Sequence, residues 1–358
     1  MEWRELAAED LDGLRNPIII DVRSPSEFAA ERIPEAVNIP LLSDAERILV
    51  GTIYKNDGDL IARRKALSLI APKIPQLIEE ILSHKERSRS IVVHCWRGGL
   101  RSEAVSSVLS IAGIPSYRLS GGYKAWRNMV LKDLVEGRYD FEPIVLYGLT
   151  GAGKTELLHE LSERQFQVLD LEALANHRGS TFGGLGLGEQ PSQKNFEAAL
   201  WNQLRKLDTE KPVFIEAESR KVGKLSLPNK ILEKIRKGPA VLIESSLQAR
   251  ARRITHDYLS TCQSTELAVQ GALSMLARLK EALGKSGVEE IERMLNDGLI
   301  EEAVQTLLVQ YYDPLYSKSI KGRSFALTVC NDDSVAAVMA LEEWAKQLTW
   351  DKIEACNS

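Results

Sequence analysis

Cysteine, five intervening residues and then arginine make up Cys95-Trp96-Arg97-Gly98-Gly99-Leu100-Arg101, and Ser102 follows. The run before it, Ile91-Val92-Val93-His94, is apolar and β-branched and reads as a buried strand; the Ser/Ala/Val/Leu-rich segment after Arg101 reads as a helix. Such a turn sets a thiol at a strand end against a helix N-terminus. There the macrodipole, the free backbone N–H groups and the Arg101 guanidinium all favour negative charge. With Trp96, Arg97, Gly98 and Gly99 the same cradle of donors suits a tetrahedral, phosphate-sized anion. A buried, inert cysteine is the plainer alternative, but the Gly and Arg content of the loop disfavours it.

A second cluster begins where the short strand Ile144-Val145-Leu146-Tyr147 meets Gly148-Leu149-Thr150-Gly151-Ala152-Gly153-Lys154-Thr155. This is the full phosphate-binding P-loop. Gly148, Gly151, Ala152 and Gly153 let backbone N–H groups crowd an anion, Lys154 serves the terminal phosphate oxygens, and Thr155 leaves room for Mg²⁺. The natural metal-side strand, Val213 to Ile215, ends in Glu216 and Glu218 where a nucleotide hydrolase carries Asp. ATP hydrolysis is put in doubt by that departure, whereas phosphate or diphosphate binding is not. Between these lies the glycine-rich stretch His177 to Gln193, with His177, Arg178, Ser180 and Phe182 as substrate candidates alongside Glu216 and Arg220. Its composition predicts a mobile loop that closes over a substrate. From Ser219 to Arg253 ten lysines and arginines face two glutamates, a phosphate-backbone footprint in which Lys221, Arg250, Arg252 and Arg253 are the RNA candidates. Arg47, Tyr54 and Lys55 are weaker candidates for phosphate or base contacts.

The elements that must hold these groups follow from pattern. A chain of 358 residues exceeds one ordinary core. The charged stretch Leu134 to Glu142 breaks periodicity, giving one domain over 1–133, a linker over 134–142 and a second domain over 143–358. Ile61, Leu67, Ile70 and Ile74 predict an amphipathic helix packed on the first sheet. Asp21 and Arg23 read as a structural pair at a strand end. In the second half Val168-Leu169, Val213 to Ile215, Ala240 to Ile243 and Phe325 to Val329 read as further strands of a doubly wound parallel sheet. A helical part spans about 256–316, its stripes Val269, Leu273, Leu276, Leu283 and Val288, Ile291, Leu295, Leu299 being core. Tyr311-Tyr312-Asp313-Pro314-Leu315-Tyr316 ends it as a corner packing back on the P-loop, and Ser334 to Lys346 closes the chain as a helix.

Bulk properties narrow the setting. A net charge of −4 and a pI near 5.9 give no global pull toward nucleic acid or membrane, so any polyanion must meet a local patch. The cysteines, Cys95, Cys262, Cys330 and Cys356, form no C-x-x-C pair, which suggests neither a disulfide framework nor a zinc site and fits a reducing cytoplasm. No basic-then-apolar leader opens the chain and no run reaches membrane-helix length.

Two resemblances then join. Ile18-Ile19-Ile20-Asp21-Val22-Arg23-Ser24-Pro25-Ser26-Glu27-Phe28, Arg32 to Pro40, the Cys95 loop and Leu119-Ser120-Gly121-Gly122-Tyr123 resemble a rhodanese domain over roughly residues 1–130, although the loop has the longer spacing of cysteine phosphatases. Fused to GLTGAGKT, LDLEALANHRGSTFGGLG, QPSQ, FIEAESRKVG and YYDPLY, this closely resembles the bacterial tRNA 2-selenouridine synthases. The resemblance implies an α/β rhodanese-like domain followed by a P-loop NTPase-like parallel α/β domain with a helical C-terminal part. It implies a transferase that replaces sulfur by selenium in wobble 2-thiouridine of tRNA. The co-substrates would be geranyl diphosphate, for S-geranylation at the P-loop, and selenophosphate, for selenation at the Cys95 loop, with Cys95 essential either as a covalent selenium carrier or in positioning the anion. It further implies no tightly bound cofactor and transient contact with selenophosphate synthetase. Two other classes fit the motifs taken separately: a rhodanese-type sulfurtransferase or cysteine phosphatase with a regulatory P-loop domain, and a P-loop kinase carrying a rhodanese binding module.

Overall fold

A computed structural model describes residues 3–84, 90–137, 139–262, 264–276 and 279–348; Cys356 lies outside them. Two compact units divide the chain: Met1–Glu136 with Ser192–Asn202, and Gly137–Pro191 with Gln203–Ser358.

In the first unit five strands, β1 (Arg4–Leu6), β2 (Pro17–Asp21), β3 (Val37–Asn38), β4 (Ser90–His94) and β5 (Tyr117–Leu119), form a parallel sheet in the order β1-β5-β4-β2-β3. Apolar β-branched runs make strands buried on both faces, and Ile20, Val92 and Val93 are fully buried. With β4 central, the Cys95 loop leaves the sheet at its C-terminal edge. Around the sheet lie α1 (Pro25–Ala30), α2 (Asp44–Asp57), α3 (Asp59–Ile70), α4 (Ile74–Ser83), α5 (Leu100–Ile111) and α6 (Gly122–Glu136). Ser24, Pro25 and Glu27 start α1 through a capping box. The predicted packing of the 61–74 stretch holds at Ile70, which lies against the core, and is corrected at Ile61 and Leu67, which are exposed; Ala62 is the buried residue of α3, and Leu77 and Ile81 of α4 enter the core.

Helix Gln193–Leu204 lies in the stretch expected to belong wholly to the second domain, yet residues 192–202 pack in the first unit. The reason is aromatic. Trp201 meets Trp126 edge-on at 5.7 Å, Trp126 meets Tyr123 at 5.7 Å, and Tyr123 stacks on Trp96 at 5.6 Å, a ladder that ends beside Cys95. Trp201 Nε1 also donates to Asp133 at 3.1 Å, and Arg127 pairs with Glu197.

The second unit holds β6 (Pro143–Tyr147), β7 (Gln167–Leu169), β8 (Val213–Glu216), β11 (Ala240–Glu244) and β12 (Leu327–Cys330), parallel in the order β12-β11-β6-β8-β7. The hairpin of β9 (Lys221–Val222) and β10 (Leu225–Ser226) stands apart from it. The helices of this unit are α7 (Lys154–Glu163), α8 (Leu171–Ala175), α10 (Asn229–Lys237), α11 (Leu247–Thr261), α12 (Thr265–Leu276), α13 (Lys280–Asn296), α14 (Ile300–Leu307), α15 (Asp313–Ile320) and α16 (Ser334–Gln347), α9 being the helix Gln193–Leu204 that packs in the first unit. Leu276, Val288, Ile291 and Leu295 are buried as their stripes predict, whereas Leu299 is exposed. β6 is the central strand, so the P-loop opens at the strand C-terminal ends, where doubly wound sheets bind ligands. No described helix is long and apolar enough to cross a membrane.

Candidate functional sites

Cys95 is 3% exposed at the end of β4. Its Sγ lies 3.3 Å from Ser102 Oγ and 3.8 Å from the Gly99 carbonyl. The loop is held by the first turn of α6: Tyr123 N donates to Cys95 O at 2.9 Å and Lys124 N to Trp96 O at 3.0 Å. Gly122 has φ +59°, and a Cβ there would lie 2.3 Å from Cys95 O, so only glycine permits this approach. Arg97 is exposed, with no partner among the described residues. Arg101, expected to face an anion, donates to both oxygens of Glu27, at 2.6 and 3.3 Å. Burial pushes the Glu27 carboxyl up, but Arg101, the Ser24 amide and Arg47 outweigh it and hold it below its usual range.

Behind the loop, Asp21 and Arg23 are fully buried and paired at 2.6 Å, the structural role expected of them. Arg23 also donates to Glu31 O and lies 4.5 Å from the Tyr123 ring centroid. His94 is fully buried, and burial lowers its pKa, which keeps the imidazole neutral.

In the second unit three side chains pull the P-loop carbonyls outward. Arg250 Nε donates to Thr150 O at 2.9 Å, Arg253 Nη1 to Gly151 O at 2.9 Å, and Asn331 Nδ2 to Ala152 O at 2.8 Å. With those carbonyls tied back, loop N–H groups other than that of Ala152, which donates to Leu149 O at 3.1 Å, are left for an anion. Arg250 and Arg253 are thereby corrected as RNA candidates. Arg250 is 3% exposed and bridges to Asp313 of the Tyr-Tyr-Asp-Pro corner, while Arg253 also pairs with Glu156. Arg252 stays exposed, 3.7 Å from Glu301, and Lys221 is exposed on β9. Asn331 lies so far along the chain that no sequence pattern linked it to this loop.

Lys154 Nζ donates to Gly148 O at 3.1 Å, and Thr155 Oγ1 donates to Glu172 Oε2 at 3.0 Å. Glu216 does not face the cleft over this loop: it is 1% exposed and accepts from the Glu172 amide at 2.9 Å. Burial, then Asp170 and Glu172, push its pKa well above the carboxylate range. Glu218 does line the cleft, hydrogen-bonded to Glu172. Burial first and Glu172 second push it up to about 8, against the Lys154 charge. Among the described residues no group of three or more His, Cys, Asp or Glu side chains is arranged to hold a metal ion.

The glycine-rich loop is stapled rather than free, contrary to its composition. Arg178 donates to Leu185 O at 2.8 Å and to Thr261 Oγ1 at 3.0 Å, and its guanidinium lies 4.6 Å from the Tyr258 ring centroid. Ser180 Oγ lies 3.3 Å from Tyr258 Oη, and Thr181 Oγ1 lies 3.0 Å from Tyr311 Oη. His177 packs beside Gly183, away from the cleft lining, with its pKa lowered by burial and then by Arg178. Phe182 is 6% exposed and enters the helical core. There it borders an apolar cavity of about 100 Å³, with Leu276, Leu307 and Tyr312 on its walls. Thr150, Ser180, Ile254 and Tyr258 line both this cavity and a polar cleft of about 1130 Å³ over the P-loop.

The family model of the tRNA 2-selenouridine synthase AAA domain matches residues 141–348, and that of the rhodanese-like domain matches residues 4–129. The chain is similar to the tRNA 2-selenouridine synthase of Nitrosomonas europaea, at 32% identity over 94% of this chain and 97% of the relative. The chain belongs to the tRNA 2-selenouridine synthase family. A second member, from Aeromonas salmonicida, is 33% identical over 83% of this chain and 86% of its own length. Among solved structures, a rhodanese-related protein from Thermoplasma volcanium covers 36% of this chain and 93% of its own, at 22% identity and a TM-score of 0.23. The fusion of both domains in one chain is thus a family feature, and the two sites described above fall one in each matched domain.

Proposed function

We propose that this chain is a tRNA 2-selenouridine synthase, replacing sulfur by selenium at wobble 2-thiouridine of tRNA through an S-geranyl intermediate. The observation that carries the P-loop half is the shared wall of phosphate cradle and apolar cavity. A prenyl diphosphate needs both, its diphosphate on loop amides and its chain in a dry pocket. In the first step the 2-thiouridine sulfur attacks carbon 1 of the geranyl chain, the carbon–oxygen bond breaks, diphosphate leaves, and the N3 proton is released. Lys154 and the loop N–H groups stabilise the charge that develops on the departing oxygen. In the second step selenium from selenophosphate attacks carbon 2 of the ring and geranyl thiol departs. Water takes the phosphoryl group away as phosphate. The Cys95 loop, with exposed Arg97 beside it, supports binding of selenophosphate or phosphate. The setting is the cytoplasm, and selenophosphate synthetase is the natural transient partner.

The test is nucleoside mass spectrometry of 2-thiouridine-containing tRNA incubated with geranyl diphosphate and selenophosphate. Geranylated nucleoside should accumulate with Cys95→Ala, and neither product should form with Lys154→Ala. An unchanged nucleoside in the wild type with every donor would overturn the reading in favour of a cysteine phosphatase or sulfurtransferase.

A further inference from the structure

The cleft over the P-loop is lined beyond Lys154 by Arg220, Arg236 and Arg323. The other arginines that line the cleft are engaged by the protein itself, Arg253 by Glu156 and Gly151 O, Arg178 by Leu185 O and Thr261 Oγ1, and behind the P-loop Arg250 is neutralised by Asp313. Among the described residues Arg220, Arg236 and Arg323 have no carboxylate partner. Arg220 and Arg236 are exposed. Arg323 is held in place: its guanidinium lies 4.3 Å from the Tyr147 ring centroid, and its Nη2 donates to Arg236 O at 3.0 Å. Tyr147 in turn packs edge-on against Phe325 at 5.8 Å. A guanidinium laid on an aromatic ring keeps its other face for a base and its fork for a phosphate.

Three arginines without carboxylate partners in one cleft call for an anion that the donors do not supply. A diphosphate is already served by Lys154 and the loop amides, and a prenyl chain by the apolar cavity. The remaining anion is a nucleic acid backbone. We propose that Arg220, Arg236 and Arg323 form the RNA-binding wall of this cleft, gripping the phosphodiester backbone on either side of the target uridine. This rests on the tRNA reading above and replaces Arg250 and Arg253, which the fold spends on the P-loop itself.

The experiment is fluorescence anisotropy of a 2-thiouridine-bearing anticodon stem-loop RNA across roughly 50 to 200 mM salt, with geranyl diphosphate binding followed by calorimetry. The proteins are full-length wild type, Arg220→Ser/Arg236→Ser, Arg323→Lys and, as a control expected to keep wild-type RNA affinity, Lys285→Ser, an exposed ion-paired residue of α13. For the double variant we expect RNA affinity to fall about tenfold near 0.15 M salt and the salt slope to shrink by roughly one per arginine. Donor affinity should stay within about twofold. Arg323→Lys should keep the salt slope while weakening binding, because an ammonium retains charge but not the planar fork. Unaltered thermal melting of the double variant separates these effects from misfolding. Wild-type affinity and slope in the double variant, beside normal alkylation of RNA by the wild type, would overturn the wall and leave the tRNA reading standing. Loss of donor affinity with RNA affinity retained would reassign the arginines to the diphosphate. Absence of RNA binding by the wild type at every salt would remove the tRNA reading and the wall with it.

Discussion

Glu218 takes up a proton on folding. Its carboxyl ionises near 4.5 in the ordinary state but near 8 in the folded one, with burial and Glu172 responsible. The stability this contributes is therefore whole below pH 4.5 and is lost as pH rises to 8. We expect the melting temperature of the wild type to fall across that window, and Glu218→Gln to flatten the fall and melt a few degrees higher at pH 8. Calorimetry at pH 5 and pH 8 checks it; parallel curves for both proteins would refute the buried proton. Arg101 gives the residue-scale counterpart. Cys-x5-Arg spacing named it as an anion ligand, yet Glu27 of the α1 capping box binds it in two hydrogen bonds. The S-P-S-E signature of that box was readable in the sequence. Where its carboxylate would point was not, because α1 and α5 are adjacent only in the folded sheet.

At the scale of elements, the P-loop and its neighbours separate two kinds of binding. Cradle and cavity share Thr150, Ser180, Ile254 and Tyr258 but are built from different material: loop amides on one side, the apolar faces of α11, α12 and α14 on the other. Ala272 of α12 lines the cavity but not the cleft. Ala272→Phe should fill it and weaken geranyl diphosphate binding by about tenfold or more, near 1.4 kcal/mol per factor of ten. Binding of inorganic diphosphate should remain within about twofold. Calorimetric titration of both ligands decides, and equal losses would place the chain elsewhere than in this cavity. The helical stripes of the region were legible as core, since period 3.6 marks a buried face. That the core would enclose a cavity was not legible. A cavity depends on how imperfectly several helices fill the space between them, which no single helix encodes.

On the scale of the whole molecule, chain order and fold order differ. Residues 192–202 leave the stretch matched to the P-loop half and complete the first unit, with Trp201 closing the ladder Trp96-Tyr123-Trp126-Trp201. A cut in the 134–142 linker therefore does not release an intact first domain. Trp201→Ala should cost the first unit about 3–5 kcal/mol, and a fragment ending near residue 140 should melt well below the full chain. Chemical denaturation followed by near-ultraviolet circular dichroism tests both, and a fragment as stable as the first unit of the full chain would contradict the packing.

Local chemistry is what the sequence determined by itself. The strand–Cys–Gly-Gly–helix turn, the strand–P-loop–helix turn and the structural pairing of Asp21 with Arg23 follow from residue types over a few consecutive positions. Such contacts are short in sequence, so local pattern and local structure agree. Tertiary structure alone decided the use of the charges. It set Arg250, Arg253 and Asn331 behind the P-loop, Glu27 on Arg101 and Arg178 inside the glycine-rich loop, and it left Arg220, Arg236 and Arg323 at the cleft without carboxylate partners among the described residues. A guanidinium reaches several ångströms from its backbone and binds whichever oxygen the fold brings near. Its partner is therefore a property of the packed molecule and not of the neighbouring residues.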